Sequence, residues 1–415
     1  MRLDRLKNYL VNPLLLGSTL MIGGSMGVNV INYVYHLVMG RLLGPADYGV
    51  VASIFSLLYV VSIVPISSSF AIVKFISEAK TGEASVAVYR AISKFGWKLG
   101  GIFGVAVVLL SPLIAKFLNI ATPIPVALVG GVLFLSLITL VNQATLQGLL
   151  KFGGVVWPNA VSSIAKLALG LVAVWVGMQV VGVIGAVVVS VLLAYLLSYR
   201  LLPIEYKSTS KGTDFDLGSF LKFSFPVLVQ SLAFTSLFTA DVILVKHYFP
   251  PTVAGWYAAL SMLGKIIYFA TQPISAVMFP YVVQKISSGK SYLLILGMSF
   301  TLTAIVSFII LGAYFLFPDL AIGLLYGSKY LDIRPELVWM GWFMSLYCLN
   351  YFLVTFFLAV GRIKVIIWPV IAAVAQIVAI VIWHRSLHQV VLVSLVIMGG
   401  LLLPLLWSLW RNPKA

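Results

Sequence analysis

The sequence predicts an all-α integral membrane protein with twelve transmembrane helices in two six-helix bundles. First, 61% of the 415 residues are hydrophobic and only 9% are charged, whereas about a quarter of a soluble domain is charged. Second, the apolar residues form twelve long runs, and a helix needs roughly 20 such residues to cross a bilayer core. Third, the first half of the chain resembles the second.

The twelve apolar runs are separated by short loops, and each run is long enough to cross the hydrocarbon core. Six precede and six follow the longest polar loop. The predicted spans lie at about 13–39, 46–71, 96–118, 123–146, 154–177, 180–201, 221–247, 253–280, 291–317, 336–359, 364–383 and 389–410.

The longest polar loop, "PIEYKSTSKGTDFDLGS", divides the chain after the sixth span. It is rich in Ser, Thr, Gly and Lys, which is typical of a linker. We therefore expect an N-terminal six-helix bundle at 1–202, a cytoplasmic linker at 203–219 and a C-terminal six-helix bundle at 220–415.

Two pairs of segments support an internal repeat. "RLLGPADYGVVAS" (41–53) matches "HYFPPTVAGWYAA" (247–259) at an offset of 206, and "KFGGVVWP" (151–158) matches "RIKVIIWP" (362–369) at an offset of 211. Six spans is an even number, so both repeats insert with the same topology. This predicts a pseudo-two-fold axis along the membrane normal, with a central cavity between the bundles.

The basic residues predict the orientation, because cytoplasmic loops carry an excess of Lys and Arg. With the N-terminus inside, 19 of the 27 basic residues fall on the cytoplasmic side, 6 on the outer side and 2 within spans. We expect a multi-pass protein of the cell membrane with both termini cytoplasmic. "MRLDRLKNYLVNP" is read as a basic lead into the first span and not as a cleaved signal.

Several function classes lack their sequence signatures. The single cysteine and four scattered histidines give no disulfide framework or metal motif, and no GxxxxGK[ST] loop is present. The acids form no DDxxD cluster, and the "DFD" at 214–216 is read as the lead into a helix. The net charge of +16 is that of a membrane protein with basic cytoplasmic loops. We expect no enzyme, no cofactor, no metal site and no nucleic-acid partner.

Three charged residues lie inside predicted spans: Lys166, Lys265 and Asp241. An unpaired charge at the bilayer centre costs roughly 2.5–3.5 kcal/mol on insertion scales, so such a residue usually faces a partner or a wet cavity. Lys166 lies about 15 Å from either end of its span at helical rise, which is far for snorkelling. A cavity role for the two lysines and a structural role both remain open, and Asp241 either has a functional role or pairs with Lys246.

Other polar residues are candidates to line a cavity. Arg41 ends the first span, where it is either a surface anchor or part of the outward mouth. Asn29, Asn32, Gln143 and Gln272 lie within spans and either line a hydrated path or form interhelical hydrogen bonds. Cations inside the membrane favour an anionic substrate, and the scarcity of acids there argues against an exporter of organic cations.

The order of several motifs resembles a known family. "GRLLGPADYGVVASIFSLLYVVSIVPISSSFAIVKFISE" resembles the opening of the polysaccharide-biosynthesis or O-antigen flippases, with their "RLLGPxDYG" turn between the first two spans. "TDFDLGSFLKFSFPVLVQSLAFTSLFTADVILV" resembles the entry to the seventh span of that family, and "VAGWYAA" the start of the eighth. "LQGLLKFG" and "LAVGRIKV" resemble its paired cytoplasmic turns, so the resemblance covers essentially the whole chain.

This resemblance implies membership of the multidrug/oligosaccharidyl-lipid/polysaccharide exporter superfamily. The implied function is a flippase that moves polyprenyl-diphosphate-linked saccharides to the outer leaflet by alternating access. Lys166, Lys265 and Arg41 would then contact the anionic substrate, and Asp241 would be the ion-coupling candidate, with energy from an H⁺ or Na⁺ gradient or the membrane potential. We expect a monomer that contacts membrane lipids and other polysaccharide-assembly membrane proteins.

Three alternatives are weighed against this interpretation. A multidrug and toxin extruder of the same superfamily is opposed by the scarcity of intramembrane acids. A major-facilitator transporter would carry a GxxxDRxGRR pattern after its second span, where this chain has "ISEAKTGEASVAVYRAISK". A membrane glycan polymerase or glycosyltransferase would be expected to carry acidic clusters or a large outer loop.

Overall fold

A computed structural model describes residues 13–79, 81–207, 217–287 and 291–410, and helices make up almost all of this part of the chain. The first seven α-helices are α1 (Pro13–Val61), α2 (Ile63–Glu78), α3 (Gly82–Phe117), α4 (Ile124–Gly148), α5 (Gly153–Trp175), α6 (Gln179–Leu201) and α7 (Ile204–Lys207). The remaining seven are α8 (Leu217–Tyr248), α9 (Pro251–Ser287), α10 (Leu293–Leu316), α11 (Pro318–Leu325), α12 (Arg334–Ala359), α13 (Ile367–Ile382) and α14 (Leu387–Trp410). Short 3₁₀ helices lie at Ser328–Ile333 and Ile363–Ile366.

The described residues contain eleven helices that are long and apolar enough to cross a membrane. The first of them, Gly23–Val61, is interrupted at Gly44, whose backbone is non-helical with φ +75°. The first predicted span, 13–39, ends shortly before this break. The second, 46–71, begins just after it and continues through a turn at Ser62 into α2. The prediction of an all-α membrane protein with twelve spans in two bundles is confirmed.

The helices α3 and α9 are longer than the predicted spans. The third span is predicted from residue 96, whereas α3 begins at Gly82, where the Thr81 hydroxyl accepts a hydrogen bond from the amide of Ala84 at 3.2 Å. Its 36 residues correspond to about 54 Å of helix, more than the roughly 30 Å of a hydrocarbon core. The connection that the predicted spans leave at 72–95 is therefore helix over most of its length.

The predicted loop between the ninth and tenth spans also contains structure. Helix α11 and the 3₁₀ helix Ser328–Ile333 occupy it. The side chains of Tyr326 and Tyr330 are buried, and the hydroxyls of Tyr326 and Tyr48 are hydrogen-bonded at 3.1 Å. Buried aromatic contacts therefore hold this connection against the membrane helices.

The described residues of the chain form two compact units. Unit 1 comprises the described residues within Met1–Leu43 and Val61–Leu228, and unit 2 comprises those within Gly44–Val60 and Val229–Ala415. The early segment after Gly44 thus belongs to the unit that the second half of the chain builds. Of the predicted linker 203–219, residues 208–216 lie outside the described part, and with them the "DFD" segment.

Within unit 2, the two matched turns of the sequence repeat pack against each other. A Cβ atom on Gly255 would overlap the carbonyl oxygen of Pro45, and one on Gly49 would lie 2.8 Å from the backbone nitrogen of Gly255. Only glycine permits this approach of the two backbones. The matched Gly49 and Gly255 are therefore explained by direct contact.

Within unit 1, polar side chains join helices in the core. Tyr89 donates a hydrogen bond to Asn142 Oδ1 at 3.0 Å, and Asn142 Nδ2 donates to Ser198 Oγ at 3.3 Å. The hydroxyls of Ser85 and Tyr206 lie 2.6 Å apart. Such bonds stabilise helix packing where no water is present to compete.

Candidate functional site

Lys166 lies in a polar cluster between α5 and α1 of unit 1. Its ammonium group donates a hydrogen bond to Asn32 Oδ1 at 2.6 Å, and the Ser163 hydroxyl donates to the same oxygen at 3.2 Å. The amine also lies 4.6 Å from the ring centroid of Tyr35. The amide oxygen and the aromatic face stabilise the positive charge, but both are uncharged and neither neutralises it.

Helical spacing explains why these groups meet. Ser163 and Lys166 are three residues apart on α5, and Asn32 and Tyr35 are three apart on α1, so each pair shares one helix face. Asn159, four residues before Ser163, continues the polar stripe on α5 and accepts a hydrogen bond from Gln143 Nε2 at 2.9 Å. Two of the four predicted polar candidates, Asn32 and Gln143, therefore contact this stripe.

Lys265 lies in a second cluster, within unit 2. Its side chain is only 3% exposed, and its amine lies 4.3 Å from the ring centroid of Phe238 on α8. It interacts electrostatically with Asp241, three residues beyond Phe238 on the same helix. The second lysine thus has both an aromatic face and a carboxyl group near it.

Asp241 is fixed by hydrogen bonds from two helices. Tyr257 on α9 donates to its Oδ2 atom at 2.7 Å, and the amide of Val242 donates to Oδ1 at 2.8 Å. The carboxylate is 1% exposed. Lys246 is the alternative partner that the sequence suggests for Asp241. It is itself buried in α8. Asp241 instead accepts hydrogen bonds from Tyr257 on α9 and from the amide of Val242 in its own helix.

An aromatic cluster surrounds Phe238 in unit 2. The ring centroids of Tyr268, Tyr347 and Tyr59 lie 5.0, 5.5 and 6.4 Å from that of Phe238. Tyr351 stacks on Tyr347 at 6.4 Å. Tyr59 is 39% exposed, so the cluster has an accessible edge. The cluster combines apolar ring faces with tyrosine hydroxyl groups that can form hydrogen bonds.

The other predicted site residues are dispersed. Gln272 is half-buried on α9, seven residues after Lys265 and therefore on the same helix face. Asn29 is exposed on α1, one turn before Asn32. Arg41 is exposed three residues before the break at Gly44.

Sequence reasoning missed Ser163, Asn159 and the tyrosines. A signal for the first two was available, because Asn159, Ser163 and Lys166 follow the i, i+4, i+7 spacing of one helix face. Tyr347 and Tyr351 are likewise four residues apart. Tyrosines carry a weaker signal, because they are common both in cores and at binding sites.

Comparison with solved structures shows the fold. The chain is similar to an inward-facing multidrug resistance MATE family transporter of the MOP superfamily, with a TM-score of 0.72 and 14% identity over 92% of this chain and 94% of that one. It is similar to the lipid II flippase MurJ in an inward closed conformation, with a TM-score of 0.73 and 15% identity over 95% and 87%. A MOP superfamily transporter from Pyrococcus furiosus, described as having a binding pocket of reverse polarity, gives a TM-score of 0.59 and 14% identity over 97% of each chain.

Sequence comparison shows the family. No curated protein sequence matches the chain. The family model described as "Polysaccharide biosynthesis protein" matches residues 38–335, which is more than half of the sequence and runs from the first span to the start of α12. The chain therefore belongs to the polysaccharide biosynthesis protein family.

Proposed function

We propose that the protein is a flippase that moves polyprenyl-diphosphate-linked oligosaccharides from the cytoplasmic to the outer leaflet, by alternating access, for surface polysaccharide biosynthesis. The family assignment supports a role with a polysaccharide precursor. The likeness to a solved lipid II flippase supports a fold that can move a lipid-linked molecule.

The observation that carries the proposal is the Lys166 cluster. An ammonium group is held within a membrane span by an amide oxygen and an aromatic face. A charge in a membrane span is costly, so residues of this kind usually serve a function. A diphosphate has the opposite charge and several acceptor oxygens, so it forms short charge-assisted hydrogen bonds with an ammonium group.

The other site residues receive roles from their chemistry. Lys265 and Arg41 would attract the diphosphate or an acidic sugar, and Asn29, Asn32, Gln143 and Gln272 would bind sugar hydroxyls. Asp241 would couple transport to H⁺ or Na⁺, or to the membrane potential through its interaction with Lys265. We further propose that the protein is a cell-membrane monomer with both termini in the cytoplasm.

A multidrug extruder is the second candidate, because the MATE transporters are among the similar solved structures. Such a protein exporting organic cations needs carboxylates in its spans. Asp241 is already engaged by Tyr257 and lies near a lysine, which leaves it poorly placed to attract a cation. The flippase is therefore the better-supported function.

The test follows a lipid-diphosphate-linked sugar in proteoliposomes. Access of an external lectin or glycosidase to the sugar measures exchange between leaflets. Wild-type protein is compared with Lys166→Ala, with Lys166→Arg, which keeps the charge, and with Lys116→Ala, which removes an exposed lysine of α3. We expect exchange to be fast with wild type and Lys116→Ala, partly kept by Lys166→Arg and lost with Lys166→Ala.

Two results would contradict this expectation. If wild type and Lys166→Ala exchange the lipid equally, Lys166 is structural and the substrate role passes to Lys265. If wild type moves none of several glycan lipids under an imposed ion gradient or potential, the flippase proposal is wrong and the drug exporter takes its place.

A further inference from the structure

Unit 2 contains an apolar cavity of about 440 Å³ between α8 and α13, with Val60 also among its lining residues. Of its twelve lining residues, Ser236 alone has a polar side chain. Apolar cavities of this kind stay free of water and bind apolar molecules.

The cavity is accessible and lies at membrane depth. Leu232, Val374 and Ile377 are 45%, 58% and 37% exposed, so the lining reaches the surface of the unit. Both helices belong to the spans Val227–Tyr248 and Ile363–Ile382. A molecule that enters from the surroundings of these segments meets hydrocarbon-like walls. The volume of the cavity suits a small-molecule ligand, since ligand pockets span roughly 300–1,000 Å³.

The sequence repeat gives this surface a counterpart of opposite chemistry. At the offset of 211 that aligns α5 with α13, Ser163 corresponds to Val374 and Lys166 to Ile377. In unit 1 these positions carry the hydroxyl and the ammonium that bind Asn32. In unit 2 the same two positions line the apolar cavity. Equivalent helix faces thus carry polar and cationic side chains in unit 1 and apolar side chains in unit 2.

We propose that this cavity binds a stretch of the isoprenoid chain of the lipid carrier. The inference rests on the proposed function, because a polyprenyl diphosphate combines the two chemistries that the repeat has separated. The walls are rich in branched and small side chains, Val, Ile, Leu and Ala, which interlock with the methyl branches of an isoprenoid. A tail leaving lipid gains little from the hydrophobic effect, so its recognition depends on close packing.

The test compares two chain lengths in the proteoliposome assay. One substrate is the polyprenyl-diphosphate saccharide that wild type exchanges fastest, and the other carries the same head group on a geranyl chain. Val374→Phe places a ring in the cavity mouth. Val378→Phe is the matched control, because it makes the same change on the same helix at a side chain that is also exposed but does not line the cavity.

We expect Val374→Phe to raise the KM for the long-chain substrate several-fold and to leave that for the geranyl substrate unchanged. Val378→Phe should change neither. An equal effect on both chain lengths, or no effect on either, would overturn the proposal while leaving the flippase function intact. Failure of wild type to exchange either substrate would remove the flippase function, and this inference with it.

Photocrosslinking provides a measurement that needs no substitution. A long-chain substrate with a diazirine in its isoprenoid chain is irradiated with wild-type protein, and the labelled residues are identified by mass spectrometry. We expect labels to concentrate on the cavity-lining residues of α8 and α13, and to be displaced by unlabelled substrate. Labels spread evenly over the exposed apolar residues of all spans would overturn the proposal, because they would indicate ordinary lipid contact.

Discussion

The hydrogen bond from Tyr257 to Asp241 joins α9 to α8 at a buried carboxylate. Tyr257 is fully buried, and Asp241 also interacts with Lys265. Hydrogen bonds to charged groups contribute about 1.5–3 kcal/mol, against about 0.5–1.5 kcal/mol for neutral pairs. The value of this bond therefore reports whether Asp241 is ionised in the folded protein.

We predict that Tyr257→Phe lowers the free energy of unfolding by about 1.5–3 kcal/mol, because the carboxylate loses a donor that water does not replace. The measurement is reversible unfolding in detergent micelles. Tyr314→Phe is the control, since Tyr314 donates to a neutral acceptor, the carbonyl oxygen of Leu263, at 2.7 Å in the same unit. Equal losses for the two variants would contradict an ionised Asp241.

The charged members of the candidate site could be found from the sequence, but their partners could not. A lysine such as Lys166 is conspicuous in an apolar run because burial of its charge is costly. Asn32 and Ser163 are polar groups that any span accommodates, and Tyr35 contacts Lys166 only because α1 packs on α5. Partners of this kind depend on helix packing, which hydropathy does not encode.

At the scale of the elements, hydropathy predicts the parts of the helices that cross lipid. It does not predict the parts that extend beyond the lipid. Hydropathy identifies the apolar part of α3, but its first turns contain Arg90 and Lys94, and water can satisfy such residues on a helix as well as in a loop. The break at Gly44 lies between two predicted spans, where the sequence has a glycine beside a proline, which is a turn signal. Its φ of +75° is one that other residues adopt only with strain.

The contact between Gly255 and the turn at Pro45 gives a prediction at the level of the elements. Gly255→Ala should lower the free energy of unfolding by at least about 1–3 kcal/mol, the usual cost of overpacking, because the added methyl group overlaps a backbone oxygen that has no rotamer to change. Thermal unfolding in detergent measures the loss.

Gly312→Ala is the matched control for that variant. Gly312 also lies on a membrane helix of unit 2, α10, but a Cβ atom there has no neighbour within 4 Å. We expect this variant to be as stable as wild type or slightly more stable, because alanine favours helix. A Gly255→Ala protein that matched it would show that the two turns are not in contact.

At the scale of the whole molecule, the matched turns of the sequence predict a duplicated six-span unit. The structure explains one match by the contact of Gly49 with Gly255. The sequence did not predict that Gly44–Val60 belongs to unit 2, because span counting assigns each helix to the half in which it is encoded.

The orientation of the molecule is predicted from its basic loops and can be tested with cysteine labelling. Cys348, the single cysteine, is 3% exposed and is replaced by alanine as a precaution. On that background, Lys329→Cys and Lys151→Cys place thiols at exposed positions of loops predicted to lie outside and inside. In intact cells, a membrane-impermeant maleimide should label position 329 and not position 151. After permeabilisation it should label position 151 as well.

The reverse labelling pattern would invert the orientation, and with it the direction of transport. Labelling of both positions in intact cells would contradict the twelve-span topology, because the two loops would then share one side of the membrane. The parent protein with Cys348 restored should stay unlabelled in either state.

The assignment of Gly44–Val60 to unit 2 has a consequence for biosynthesis. This segment leaves the ribosome early, yet its partner at Gly255 is translated about two hundred residues later. Domains generally fold in the order of their synthesis, but here the nascent chain must hold one helix unpartnered until the second half arrives. Completion of unit 2 therefore depends on a segment that is already in the membrane, and a truncated first half would expose it to quality control.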